Sequence, residues 1–170
     1  MLTLEPIADH PEVGRWLSAM EDARGETLRE LEGLSGEALD WRPAGETNTI
    51  GTLLYHIALV EADWLLVDML GPENAPPWPA DLLPYVDRDE EGMLTLIQGV
   101  TLPEHLDRLA AVREMIHRFV KPMTAEDFHT IRRRERFDVS PAWILHHLLQ
   151  HEAEHRSQIV WLREAPSRTP

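Results

Sequence analysis

Apolar side chains recur at intervals of three and four residues over most of this chain, the spacing that lines one face of an α-helix. From Asp9 to about Gly33 or Gly36, such a face is formed by Val13, Trp16, Leu17, Met20, Leu28 and Leu31. Asp9 and Glu12 fit a capping box there, and Pro11 suits the first turn. The following segment, LSGEALDWRPAGETNT, reads as a connection, because Gly36, Pro43 and Gly45 interrupt regular structure while Leu39 and Trp41 anchor it. A second helix is predicted from about Asn48 to Leu70, capped by Thr47 or Asn48 and ended by Gly71-Pro72. Its inward residues are Ile50, Leu53, Leu54, Ile57, Val60 and Trp64, with His56 at the edge of that face.

Residues 71–100 open with a proline-rich loop and contain the run MLTLIQGV, which periodicity leaves as irregular or as one short helix. Thr101 and Glu104 then open a third helix, whose Leu102, Leu106, Leu109, Ile116 and Val120 point one way before Pro122 stops it. Ser140 and Pro141 open the last helix, which runs to about Glu164 before Pro166. No repeat at a fixed period is visible. Four long helices with short-to-medium connections predict an all-α four-helix bundle, with residues 1–170 forming a single domain.

Composition narrows the chemistry this bundle can carry. The chain has no cysteine, which excludes disulfides, thiolate ligands and a cysteine nucleophile, so any thiol chemistry must use an external thiol. Thirty acidic against sixteen basic residues give a net charge of −14, which repels nucleic-acid phosphates and anionic membranes; neither is expected as a partner. Arg132, Arg133, Arg134 and Arg136 form one basic cluster, but they lack interleaved aromatics and read as a solvated loop. The start, MLTLEPIADHPEVG, has no basic stretch leading into an apolar one, and no run of about 18 apolar residues occurs, so a cytoplasmic location is expected.

The last helix carries the informative polar residues. At about 100° per residue, Ile144, Leu148, His151, His155, Ile159 and Leu162 fall within roughly 80° of one another, so two histidines share the core-facing stripe. Four residues apart, they stack on successive turns about 6 Å apart, within reach of one ion. Random placement of the nine histidines would give roughly 0.4 such pairs, so spacing alone decides little. Burial adds weight, because two neutral imidazoles on an apolar stripe need partners and one metal satisfies both; carboxylate partners are the alternative. The string HEAEH also fits H-E-x-x-H, but Trp161 stands where an extended motif needs a ligand and no strand for a peptide substrate is evident. A third ligand must come from another helix.

The segment TIGTLLYHIALVEADW, preceded by Asn48, resembles the second-helix motif of the DinB-like superfamily of bacterial metal-binding four-helix bundles. HHLLQHEAEHRSQIVWLR resembles its last-helix motif, and LSGEALDWRPAGETNT resembles the connection before the second helix. The likeness covers about two-thirds of the chain in order, leaving the proline-rich middle unmatched. It implies His56, His151 and His155 as a metal-binding triad. Ser157 departs from the glycine usual after the His-Arg dipeptide, which bears on helix packing and removes no ligand. His147, one turn before His151, reads as a pocket residue outside the ligand set.

Three neutral nitrogen ligands leave positions open for water or substrate, as in catalytic sites. The resemblance implies a metal-dependent thiol S-transferase acting on small-molecule electrophiles with a thiol such as bacillithiol or mycothiol. The alternatives are a metal-dependent hydrolase, with Glu61 and Glu152 as candidate proton carriers, and a non-enzymatic stress-related metal-binding protein. Imidazole ligands accept several metals, of which zinc or nickel is expected. A homodimer is also expected, from the resemblance and because Trp143 and Trp161 project the same way beside the histidine stripe.

Overall fold

Three of the four long helices start where a hydroxyl side chain accepts a hydrogen bond from a backbone N–H three residues on. Thr49 does so from Thr52, Thr101 from Glu104 and Ser140 from Trp143. In the computed structural model, which describes residues 3–165, these caps open α3 (Ile50–Asp63), α4 (Leu102–Val120) and α6 (Pro141–Glu164). Thr101 and Glu104 complete the expected capping box. Pro166, the expected stop after α6, lies outside the described residues.

The first helix departs from expectation at its start. Pro11 takes the first turn of α1 (Pro11–Glu30), so the cap position falls on His10, which makes no side-chain capping bond, and Asp9 is one residue out of register. The cap of α3 is likewise Thr49 rather than Thr47 or Asn48. Within the connection, Ser35 caps a short helix α2 (Gly36–Asp40) that sets Leu39 into the core, while Trp41 is half-buried.

After Asp63 the second long helix continues as a π-helical segment, Trp64–Leu70. Its wider turn keeps Trp64, Leu65, Leu66, Asp68 and Met69 all buried, and Gly71 ends it at φ +76°. Residues 50–70 are long and apolar enough to cross a membrane by length and composition, but 78% of the apolar window is buried inside the bundle, as in a core helix.

The run MLTLIQGV forms no helix. The irregular stretch 71–100 instead lies along α3: the Tyr55 hydroxyl donates to the Tyr85 carbonyl (2.9 Å) and accepts from the Tyr85 N–H (2.8 Å), and Thr52 Oγ1 accepts from the Ile97 N–H (3.1 Å). Leu83 and Ile97 are buried with the helices. Between α4 and α6 come α5 (Ala125–His129) and a small antiparallel hairpin, β1 (Arg132–Arg133) with β2 (Asp138–Val139). This corrects the solvated-loop reading of the basic cluster. Arg134 donates to the Asp68 and Leu70 carbonyls at the end of the π-helical segment, and Arg136 pairs with Asp63 and Asp68.

In the bundle α6 packs on α1 and α3, and α3 also packs on α4. The apolar core has two parts. One centres on Leu53, Ile57, Leu109 and Ile159, the other on Leu17, Leu65, Ile116 and Leu148. Between them lies a buried ion-pair layer with one member from each long helix: Arg24, Glu61, Arg113 and Glu152.

Candidate metal centre

The caps of α3 and α6 set the phase of both helices and so decide which side chains meet. On α6, Ile144, Leu148, Ile159 and Leu162 are buried as predicted, and His151 and His155 sit between them, partly buried. On α3, His56 is buried, not at the edge of its face, and points its ring at the pair: the ring centroids of His151 and His155 each lie 4.9 Å from that of His56. His151 Nε2 is 3.1 Å from His56 Nε2 and 3.0 Å from His155 Nε2. All three residues offer a ligand nitrogen within 4.8 Å of the other two, so they can hold a metal ion.

Hydrogen bonding shows that these nitrogens suit a cation. His56 Nδ1 lies 2.6 Å from an Asp87 carboxylate oxygen, and His155 Nδ1 lies 3.1 Å from Gln158 Oε1. Each acceptor fixes the proton on Nδ1, which leaves a lone pair on Nε2 of both rings. His151 Nε2 faces both lone pairs but has at most one proton to donate, so one close N···N contact is left without a hydrogen. A shared cation removes that conflict. Ligand nitrogens about 2.0–2.1 Å from a tetrahedral ion stand roughly 3.3 Å apart, close to the separations seen.

Electrostatics favours the same state. Burial first, then the neighbouring imidazoles of His155 and His56, push His151 down to about 3, and burial also lowers His155. Both rings are therefore neutral near pH 7, as coordination requires. Asp87 behaves oppositely: burial works against its charge, but the hydrogen bond from His56 and nearby positive charge, Arg88 included, outweigh burial and hold its pKa below the usual value.

Asp87 is the residue that sequence reasoning missed. It lies in the irregular middle of the chain, where no periodicity points, and the only sequence signal is an acidic run, DRDEE, too common on surfaces to single it out. His147 is placed outside the three-histidine group. Its ring stacks on Trp143 (5.2 Å, 9°) and meets Trp64 (4.7 Å), continuing to Phe137, which stacks on Trp64. These rings form an aromatic wall on one side of the site. A pocket of about 390 Å³ is lined by residues including Asn48, Leu53, Trp161 and Gln158, the last of which also hydrogen-bonds His155. Ser157 is exposed, with its hydroxyl on the Glu154 carbonyl, so no close helix contact depends on it.

Glu61 and Glu152, the candidate proton carriers, are placed in the buried ion-pair layer. Glu61 Oε1 accepts from Arg113 (2.5 Å) and Arg24 (3.0 Å), while the Glu152 oxygens accept from Arg24 Nε (2.6 Å) and Arg113 (3.0 Å). Burial opposes ionisation of Glu61, but the two guanidinium groups more than offset it and lower its pKa.

Comparison with known proteins agrees with this architecture. No curated protein sequence matches the chain significantly. A family model described as DinB superfamily matches residues 19–159, a span that contains all three histidines, Asp87 and the ion-pair layer. The chain, a helical bundle with a possible three-histidine metal site between its second and last long helices, belongs to the DinB superfamily.

Proposed function

We propose that this protein is a metal-dependent thiol S-transferase for small-molecule electrophiles, with zinc or nickel held by His56, His151 and His155. The observation that carries this reading is the convergence of three imidazole nitrogens, with no fourth protein ligand in the group among the described residues, near an aromatic wall and a polar pocket. An ion held by these three histidines would supply Lewis acidity, which would lower the pKa of a thiol bound beside it. The thiol comes from a low-molecular-weight cosubstrate because the chain has no cysteine.

The chain's own residues supply binding and orientation. Half-exposed Trp143 and Phe137, with Trp64 behind them, offer apolar faces for a planar electrophile. Asn48, Gln158 and the Trp161 ring offer hydrogen bonds and a flat surface to the polar body of a thiol. In the transfer the thiol proton leaves to solvent, the S–C bond forms at the electrophilic carbon, and the leaving group departs with its electron pair. Engagement of Glu61 and Glu152 by arginines favours this reading over hydrolysis, which needs a proton carrier at the site.

The test is conjugation of a chromogenic aryl halide to a small thiol by protein loaded with zinc or nickel. Metal-dependent product that disappears in H151A supports the transferase. No metal-dependent product with any of several thiols counts against it, and unfolding on metal removal would then favour a structural role for the ion.

A further inference from the structure

We infer that Asp87 is a positioning residue for the metal centre, and that through it occupancy of the centre is coupled to docking of the 71–100 segment on α3. This rests on His56, His151 and His155 forming a metal site, and it adds that the segment with least regular structure helps to build that site. The carboxylate of Asp87 sits 2.6 Å from Nδ1 of His56, whose Nε2 lies 3.1 Å from that of His151.

Three features separate this from an ordinary surface ion pair. His56 is buried, with a side chain only 8% exposed, so its Nδ1 proton needs an acceptor and Asp87 supplies it. Accepting at Nδ1 fixes the tautomer, aims the ring, and increases the electron density at Nε2. The other rings lack such support: His151 Nδ1 is buried without a hydrogen-bond partner among the described residues, and His155 has only the exposed Gln158 amide. Among the described residues, the carboxylate is therefore the one anion hydrogen-bonded to the cluster.

Asp87 is itself held by a short chain of contacts. Tyr55 lies next to His56 on α3 and clamps both backbone groups of Tyr85, two residues before Asp87. The Asp87 carbonyl accepts from the Thr95 N–H (3.0 Å), Arg88 pairs across to Leu94, and Arg108 lies over the Tyr55 ring and donates to the Leu82 carbonyl. The segment thus meets α3 at Thr52, Tyr55 and His56, and a cation that pins the His56 ring also pins its acceptor. Ordering one end of this chain lowers the cost of ordering the other.

The experiment measures zinc affinity by competition with a chromophoric chelator for wild type, D87A, D87N and H151A, together with the melting temperature of each metal-free protein. Amide exchange at Thr95 and Ile97 is followed with and without zinc. A positioning role predicts that D87A weakens zinc binding by roughly 10–100-fold. D87N, whose amide oxygen still accepts from Nδ1, should recover part of that loss, and zinc should slow exchange at Thr95 in wild type but not in D87A. A loop-anchoring role alone would lower the metal-free melting temperature of D87A and leave its affinity for zinc unchanged, and that result overturns the inference. Wild type that binds one zinc while D87A binds as tightly likewise rejects it and leaves the metal site standing. Wild type that binds no zinc rejects both.

Discussion

At the scale of single residues, the site depends on which nitrogen of each ring is free. His151 is neutral because burial and its neighbours push it down to about 3, and its Nε2 lies between two others. Alanine at His56, His151 or His155 should therefore weaken metal binding by more than about 100-fold, whereas H147A should leave affinity within a few-fold, as titration against a chelator would show. An H147A variant that loses the ion would place that ring among the ligands. The histidine pair of α6 was legible because both members share one helix and fixed spacing, so periodicity alone put them on one stripe. His56 was not legible that way; a single histidine in an apolar helix has no spacing to read, and only resemblance pointed to it. Asp87 was illegible because its partner is 31 residues away across an irregular segment.

At the scale of elements, cap chemistry and apolar spacing located the long helices, and the errors came where two signals competed. Pro11 moved the α1 cap off Asp9, and the run at 93–100 forms no helix because its backbone bonds go to residues 87 and 89 and to the Thr49 and Thr52 hydroxyls. The burial of Arg24, Arg113 and Glu152 was also hidden, since charged positions ordinarily read as solvent-facing and only pairing with one another and with Glu61 allows them inside. Removing one partner leaves an uncompensated buried charge, so R113A should cost about 3–5 kcal/mol in urea unfolding, while S140A, which loses only the α6 cap, should cost about 1 kcal/mol. An R113A variant as stable as wild type would show that the layer is not closed. Glu61 adds a pH dependence: its folded pKa lies below the ordinary value of 4.5, so its contribution is complete above that value and is lost as pH falls below it.

At the scale of the whole molecule, the bundle joins two apolar cores through a charged layer and sets the histidine group beside that layer. Acid should therefore weaken the metal-free protein in two stages. Burial, then Arg108, lower buried His105 to about 4; the unfolded chain takes up its proton first, so stability falls from about pH 6.5 to about pH 4, with the Glu61 loss following. Unfolding free energies measured across that range check the order, with the first stage reduced in H105Q and not abolished, because burial lowers His151 in the metal-free protein as well. We propose that two copies associate in solution through the surface around half-exposed Trp161, giving a dimer in sedimentation at micromolar concentration. Trp143 is in part engaged within its own chain by His147 and Trp64, so W161A should shift the equilibrium toward monomer more than W143A. The central claim is that one ion is shared by three imidazoles from two helices, and X-ray absorption at the metal edge of stoichiometrically loaded, untagged protein tests it most directly. The account predicts one ion per chain with three nitrogen scatterers at about 2.0–2.1 Å carrying the outer-shell pattern of imidazole, and loss of one imidazole in H56A. A spectrum in which H56A leaves the imidazole count unchanged would contradict it, because the ion would then be held without the second long helix.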